Sequence, residues 1–405
     1  MNERTSGLDR RDFLKIVATA GAGALFGARQ VAGAEPAPGT PASTTQMPTR
    51  PFGKTGFTVS CLAMGGMFDI PGNQLVLRKA LDWGVTYWDT ADCYEGGRSE
   101  AGIGKFLGSN PDARKRIFLV TKSDSRDPQG MTELLTRSLD RMKTDSIDLY
   151  FIHGVGRMDE LTDDQKAWAE RMKKEGKIRL FGFSTHKNME TLLDGAAKLG
   201  WIDGIMFAYN YRNMHSDAMK KAVDACEKAG IGLTAMKTQG GGPIKTDSEK
   251  ERELAGRFIH RGFTPEQAKL KAVWENEQIA SICSQMPNLG IMSANVAAAL
   301  DRTRLAANEF QALDQYAAAT CDGYCAGCAN LCEAATGGAP VSDALRCLMY
   351  HHHYNNPEQA RTEFARIPAS ARERLLAFDG AAAERVCPRH LPIARLVREA
   401  TELLA

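Results

Sequence analysis

Residues 117–153 read IFLVTKSDSRDPQGMTELLTRSLDRMKTDSIDLYFIH, and this stretch decides the fold class. The apolar run Ile117–Lys122 is typical of a buried strand, and a second such run follows at Leu149–His153. Apolar residues between the two runs recur at the spacing of one helical face: Leu135, Leu139 and Met142. A strand, a helix and a second strand in this order predict a parallel β-α-β unit.

The same alternation of short apolar runs and helical patterns extends in both directions from this unit. Six further runs bring the predicted strands to eight: Cys61–Gly65, Thr86–Ala91, Ile178–Ser184, Ile205–Asn210, Gly232–Lys237 and Ile279–Gln285. Eight strands, each followed by a helix, predict an α/β fold of the (β/α)₈ TIM-barrel type over residues 50–310. An open doubly wound sheet is the alternative, but no G-x-G-x-x-G motif follows the first strand.

Composition narrows the function classes. The 405 residues carry a formal net charge of +2, so no basic excess of the kind that binds nucleic acid is present. A quarter of the residues are charged and 43% are hydrophobic, as in ordinary globular proteins. A chain of this length can bury a large core without help from metals or disulfides.

The N-terminus resembles a bacterial twin-arginine (Tat) export signal. Arg10-Arg11 precedes a weakly apolar stretch from Ile16 to Phe26, and a small-x-small cleavage pattern ends at Ala34. The apolar stretch is shorter than the ~20 residues that cross a bilayer, so we expect a removable signal at residues 1–34 and no membrane span in the mature chain. A Pro/Ala/Thr-rich linker is predicted at 35–49. The Tat machinery is the implied partner, and the periplasm the implied location.

Titratable residues stand at the carboxyl ends of three predicted strands, where a barrel carries its chemistry. Asp89 and Tyr94 stand at or just after the end of the second strand, Lys122 ends the third and His153 ends the fourth. Hydride delivery to a carbonyl leaves an oxyanion that needs a proton, and an ammonium beside a tyrosine lowers the pKa of its phenol. We therefore expect Asp89 to hold Lys122 beside Tyr94, and His153 to orient the substrate oxygen.

Five ordered segments resemble the aldo-keto reductase family over about residues 50–300. They are Arg50–Gly56, Trp88–Tyr94, Arg98–Gly104, Val120–Lys122 and Asp148–His153. The resemblance implies a catalytic tetrad of Asp89, Tyr94, Lys122 and His153, and a bound nicotinamide dinucleotide. The implied reaction interconverts a carbonyl and an alcohol in a small-molecule substrate.

The same resemblance supplies the predicted cofactor residues. They are Ser184, His186, Tyr209, Asn210, Lys237, Gly240, Gly241 and Asn295. Two departures leave NADP or NAD undecided: Met206 stands where the family usually has Gln, and residues 286–293 contain no cation for a 2′-phosphate. The charged segment Pro243–Phe263 is interpreted as a lid over the site, or as an insertion without a role.

A cysteine-rich region, residues 311–405, follows the predicted barrel and is expected to be helical. Cys321, Cys325, Cys328 and Cys332 are spaced C-x₃-C-x₂-C-x₃-C, and Cys387 is followed by Pro. This pattern resembles the iron–sulphur extensions of some aldo-keto reductases. We favour a [4Fe–4S] cluster on Cys325, Cys328, Cys332 and Cys387, with Cys321 as the rival fourth ligand. A zinc site or a set of disulfides remains an alternative.

Two functions follow from these patterns. The first is a nicotinamide-dependent oxidoreductase with Tyr94 as general acid/base, whose cluster serves structure or an electron-transfer partner. The second is a non-catalytic barrel that acts as an iron–sulphur electron-transfer or binding protein.

Overall fold

The computed structural model describes residues 46–242, 249, 253, 262–321 and 323–405. The predicted export signal, most of the predicted linker and nearly all of the predicted lid lie outside these residues. Met47, near the end of the predicted linker, is buried in the barrel core.

A two-stranded hairpin precedes a closed barrel of eight parallel strands within the described residues. The hairpin strands are β1 (Thr49–Pro51) and β2 (Thr58–Ser60). The barrel strands are β3 (Leu62–Gly65), β4 (Tyr87–Asp89), β5 (Phe118–Ser123), β6 (Ile147–Ile152), β7 (Ile178–Thr185), β8 (Gly204–Ala208), β9 (Gly232–Met236) and β10 (Ser281–Gln285). Each strand pairs with its sequence neighbour, and β10 pairs with β3 to close the ring. The barrel prediction is confirmed.

Helices cover the outside of the barrel. They are α1 (Gln74–Asp82), α2 (Arg98–Ser109), α3 (Pro128–Met142), α4 (Asp163–Lys174), α5 (Met189–Ala196), α6 (Asp217–Ala229), α7 (Pro265–Trp274) and α8 (Leu289–Leu300). Their apolar faces form the main core together with the outward-facing strand residues. The charged residues of α4 lie largely at the surface.

Aromatic side chains fill the amino-terminal end of the barrel. Phe52, from the turn of the hairpin, is fully buried, and its ring packs edge-on against Tyr87 and at a tilt against Phe118. A Cβ on Gly232 would lie 2.3 Å from the Phe52 ring, so this strand start admits only a glycine. Because this end is plugged, side chains at the opposite end form the accessible mouth.

Residues after α8 form a helical extension with its own core. Its helices are α9 (Ala307–Ala319), α10 (Ala329–Ala335), α11 (Val341–His352), α12 (Pro357–Arg366), α13 (Ala369–Leu376), α14 (Gly380–Val386) and α15 (Ile393–Leu404). From Tyr324 onward its buried side chains pack on one another as a separate cluster. No helix in the described ranges has the length and apolar character that crossing a membrane requires.

The extension docks on the carboxyl-terminal face of the barrel. Lys187, just after β7, pairs with Asp343 of α11 at 2.8 Å. Arg212, after β8, donates to Ala317 O (2.8 Å) and Thr320 Oγ1 (2.6 Å) and packs on the ring of Tyr324. The extension therefore covers part of the face where the predicted site lies.

Candidate active site

Asp89, Tyr94, Lys122 and His153 meet at the barrel mouth. Lys122 Nζ lies 2.7 Å from each carboxylate oxygen of Asp89 and 3.3 Å from the Tyr94 hydroxyl. The Lys122 side chain is 1% exposed, and its ammonium also donates to Thr90 O at 2.7 Å. The His153 ring stands edge-on to Tyr94, with 5.7 Å between ring centroids. The four predicted catalytic side chains are thus neighbours.

The protonation of Tyr94 differs from the expectation. Burial raises the pKa of the Tyr94 phenol well above 10, and the negative charge of Asp89 adds to the shift. The net shift of the Tyr94 pKa is therefore upward, opposite to the expectation, because burial and then the charge of Asp89 outweigh the effect of the Lys122 ammonium. Tyr94 is a neutral phenol at physiological pH and can give a proton to a substrate.

An arginine-held loop presents Tyr94. Asp92 is buried and accepts from Arg137 Nη2 (2.8 Å) and Arg141 Nη1 (2.9 Å). Arg141 also packs against Gly97, whose φ of 90° is left-handed. Glu95, directly after Tyr94, has a φ of 53°, so the chain turns sharply here. This turn fixes the backbone from which the phenol projects.

His153 is oriented by a carboxylate that the sequence analysis missed. His153 Nδ1 donates to Asp124 Oδ1 at 2.7 Å. Burial would raise the pKa of Asp124, but the hydrogen bond and charge of His153 outweigh it and hold that pKa below its ordinary value. The second ring nitrogen, Nε2, is left for a substrate oxygen. Asp124 comes two residues after the predicted strand-end Lys122, so its position could have singled it out.

Three of the predicted cofactor residues face the mouth. Ser184 is buried, and its Oγ accepts from the Gly154 amide at 3.1 Å. Burial, and then the charges of Arg346 and Lys237, lower the pKa of His186 well below 6.5, so its imidazole is neutral. The ammonium of Lys237 lies over the ring of Tyr350 from the extension.

Other predicted cofactor residues contact the extension instead. Asn210 Nδ2 donates to the Tyr324 hydroxyl at 2.9 Å and to Lys237 O at 3.1 Å. A Cβ on Gly241 would lie 3.3 Å from the Tyr324 ring, and Gly240 O accepts from Arg212. Of the two glycines that were expected to bind the cofactor, Gly241 therefore lies against the extension, whereas Gly240 contacts residues of the barrel.

Tyr209 and Asn295 lie elsewhere. Tyr209 packs in the outer core, where its hydroxyl accepts from Asn276 at 2.8 Å, so the structure does not bring it to the mouth. Asn295, on α8, is buried and donates to Ser284 Oγ at 3.0 Å.

Comparison with known proteins agrees with the fold. The model of the Aldo/keto reductase family matches residues 68–300. This chain belongs to the aldo/keto reductase family. Membership supports carbonyl and alcohol oxidoreduction, with NADP(H) as the coenzyme of the family.

Relatives of this aldo/keto reductase differ in how much of their length they share with it. The uncharacterized oxidoreductase YrpG of Bacillus subtilis (strain 168) is 28% identical over 61% of this chain and 81% of its own length. The NADP(+) aldo-keto reductase yakc of Schizosaccharomyces pombe is 35% identical over 34% of this chain and 45% of its own. For one curated relative, the uncharacterized oxidoreductase YqkF of Bacillus subtilis (strain 168), the matched share is 39% of its length.

A solved structure supports the same fold. The holo form of aldo-keto reductase AKR11C1 from Bacillus halodurans superposes with a TM-score of 0.56 at 24% identity. The match covers 67% of this chain and 96% of that one. At this identity the likeness concerns the fold.

Four cysteines of the extension surround one small cavity. They are Cys325, Cys328, Cys332 and Cys387. Apolar side chains such as Leu331, Val341 and Leu345 line the rest, and Cys321 is not among the lining residues. These four cysteines form no disulfide bonds. Cys347, which the sequence does not single out as a ligand, is buried in the core of the extension.

Proposed function

We propose that this chain interconverts a carbonyl and an alcohol by hydride transfer with a nicotinamide dinucleotide, with Tyr94 as general acid/base. The observation that carries the proposal is the buried Asp89–Lys122 pair, with its ammonium 3.3 Å from the Tyr94 hydroxyl. When bound, the dinucleotide supplies the hydride. The protein supplies the proton and the geometry.

Each tetrad residue has a physical task. The neutral phenol of Tyr94 gives its proton to the developing alkoxide. The Lys122 ammonium then donates to the phenolate and stabilises its charge, while Asp89 keeps that ammonium in place. When the His153 ring carries a proton on both nitrogens, Nδ1 donates to Asp124 and Nε2 donates to the same substrate oxygen. A raised pKa of Tyr94 favours carbonyl reduction over alcohol oxidation, since the acid form is the one present.

The residues around the mouth fit the amide end of a nicotinamide. Ser184 Oγ accepts one hydrogen bond, and among the described residues its own hydrogen has no acceptor. The neutral imidazole of His186 likewise has no hydrogen-bond partner in the part of the chain that the structure describes. A carboxamide can use both groups, and Ser184 and His186 are the residues we expect to hold it.

A binding and turnover assay tests this proposal. NADPH and NADH are titrated separately against the full chain by fluorescence, and reduction of small aldehydes is then followed by coenzyme oxidation. We expect saturable binding of one dinucleotide and turnover of at least one aldehyde. An aldehyde panel that gives no turnover although the coenzyme binds would contradict the proposed activity.

We also propose that Cys325, Cys328, Cys332 and Cys387 hold a [4Fe–4S] cluster, which would supply one-electron exchange or structural cross-linking. Two observations on the site favour it. Burial raises the pKa of Cys328 to about 11 and that of Cys332 to about 12, so thiolates at this depth need a bound cation. The four cysteines also line one small cavity of the extension, and Cys321 is not among its lining residues.

Export by the Tat route to the periplasm remains our proposal for the location. It rests on Arg10-Arg11, the apolar stretch and the small-residue cleavage pattern. The Tat route suits a protein that is exported folded and with its cofactors bound. An iron–sulphur cluster in the extension would exchange electrons with a partner protein. Replacing Arg10-Arg11 by Lys-Lys tests it: we expect the protein to stay in the cytoplasm, and export that continues unchanged would contradict it.

A non-catalytic barrel that carries a cluster is the second candidate. The observation in its favour is the engagement of Asn210 and Gly241 by Tyr324, at the place where the family resemblance puts the dinucleotide. Titrations with both dinucleotides that give no signal, on protein that holds its cluster, would favour this candidate over the reductase.

A further inference from the structure

Lys237 is a cation without a carboxylate partner at the mouth. It is the residue just after β9, and its ammonium lies 4.3 Å from the centroid of the Tyr350 ring and 5.5 Å from that of Tyr354. No carboxylate in the described ranges forms an ion pair with it. Aromatic faces stabilise an ammonium but leave its hydrogens available for an anion.

Arg346 brings a second cation to the same place from the extension. It precedes Tyr350 by four residues on α11, so both side chains lie on one helical face. Its Nη2 lies 3.3 Å from Asp343, while its buried Nε has no hydrogen-bond partner among the described residues. Asp343 already pairs with Lys187 at 2.8 Å, so its charge is shared between two cations.

His186 shows that these charges converge. After burial, the groups that lower the pKa of His186 are Arg346, Lys237, His153 and Lys122, in that order. The nearby carboxylates already form ion pairs. Asp89 pairs with Lys122, and Glu363 on α12 pairs with Arg366. Asp343 pairs with both Lys187 and Arg346. The space between β9 and α11 is therefore positive, and it borders Tyr94, because Tyr350 is close enough to affect the phenol electrostatically.

We propose that Lys237 and Arg346 bind the carboxylate of an anionic substrate whose aldehyde or ketone carbon lies next to that carboxylate. The proposal rests on the proposed reductase function and adds the substrate class to it. A carboxylate between the two cations would accept from the Arg346 Nε and the Lys237 ammonium, and an adjacent carbonyl would lie toward Tyr94. Since Arg346 belongs to the extension, the extension would select the substrate.

Binding without turnover tests the anion site directly. Oxamate, an unreactive 2-oxo acid analogue, is titrated by calorimetry into the full chain and into Lys237→Met and Arg346→Met. We expect oxamate to bind the parent and each variant to bind about ten-fold or more weakly, as loss of a charge-assisted hydrogen bond predicts. Arg361→Met, which removes an exposed charge on α12, is the matched control and should bind as the parent does. Lys237→Arg and Arg346→Lys keep the charges and should restore most of the affinity.

Turnover provides the second readout. Glyoxylate and methylglyoxal both carry an aldehyde, but only glyoxylate is an anion. The kcat/KM for glyoxylate divided by that for methylglyoxal therefore measures selection for the anion. We expect this ratio to fall about ten-fold or more in Lys237→Met and Arg346→Met and to hold in Arg361→Met.

The outcomes separate the two proposals. A parent that binds oxamate and coenzyme but reduces no aldehyde of the panel would overturn the reductase function and leave the anion site standing. The anion site would be overturned if oxamate did not bind the parent. It would also be overturned if Lys237→Met and Arg346→Met both bound oxamate as tightly as the parent does. A rise in the coenzyme dissociation constant of Lys237→Met with an unchanged glyoxylate preference would also overturn it, because the cation would then serve the coenzyme.

Discussion

Asp124 Oδ1 lies 2.7 Å from His153 Nδ1, and this hydrogen bond fixes which nitrogen of the ring can reach a substrate. The carboxylate accepts from Nδ1–H, so Nε2 is the nitrogen that remains for the carbonyl oxygen. The lowered pKa of Asp124 keeps it ionised throughout the neutral range. The ring is therefore oriented by a residue outside the tetrad.

Asp124→Ala is expected to lower kcat for carbonyl reduction about ten-fold or more, since His153 loses its orienting partner. Steady-state kinetics on one aldehyde provides the measurement. Asp140→Asn, which removes an exposed carboxylate on α3, is the matched control. Equal kcat values in Asp124→Ala and the parent would show that His153 needs no partner.

The pH dependence follows from the raised pKa of Tyr94. A buried phenol with a pKa well above 10 keeps its proton through the neutral and mildly alkaline range. Reduction should therefore not decline through ionisation of Tyr94 until the pH exceeds 10. Ultraviolet titration of tyrosinate in the parent and in Tyr94→Phe measures this group. A tyrosine that ionises below its ordinary pKa of about 10 in the parent and is missing from Tyr94→Phe would contradict the burial argument.

The cysteine assignment predicts which thiols a cluster needs. Serine at Cys325, Cys328, Cys332 or Cys387 should remove the broad visible absorbance and most of the iron of anaerobically purified protein. Cys321→Ser should retain both, because Cys321 does not line the cavity. Colourless parent protein that contains zinc would contradict the cluster, and loss of iron in Cys321→Ser would contradict the ligand set.

Arg212 is expected to contribute strongly to the attachment of the extension. It donates to Gly240 O, Ala317 O and Thr320 Oγ1 and stacks on three tyrosine rings. Arg212→Met should lower the free energy of unfolding by about 2–4 kcal/mol, because buried carbonyls lose their donor. Urea denaturation measures the change against Lys220→Met, an exposed control on α6. A loss no larger in Arg212→Met than in the control would show that other contacts hold the extension.

The strands and the tetrad could be predicted from the sequence because both depend on local pattern. Continuous apolar runs identify strands that are buried on two faces, and the residues that follow them must lie at the mouth. The cofactor residues were harder, because a strand sends neighbours to opposite faces. Just beyond the end of β8, Asn210 contacts Tyr324 of the extension whereas Tyr209 packs in the outer core, and the family resemblance alone could not separate the two.

Contacts between the extension and the barrel could not be predicted. Lys237 and Tyr350 are far apart in the sequence, and no periodicity relates them. The pKa of Tyr94 was also out of reach, since it depends on how deeply the phenol is buried and on how Asp89 shares the Lys122 ammonium. Both depend on tertiary packing.

Single-turnover reduction by coenzyme-loaded protein tests the central claim, that Tyr94 supplies the proton. With Tyr94→Phe we expect the rate to fall about 10²–10⁴-fold, the range for loss of a general acid, while the coenzyme dissociation constant and the thermal midpoint stay near those of the parent. A Tyr94→Phe protein that binds coenzyme and reduces the aldehyde at the parent rate would contradict the account.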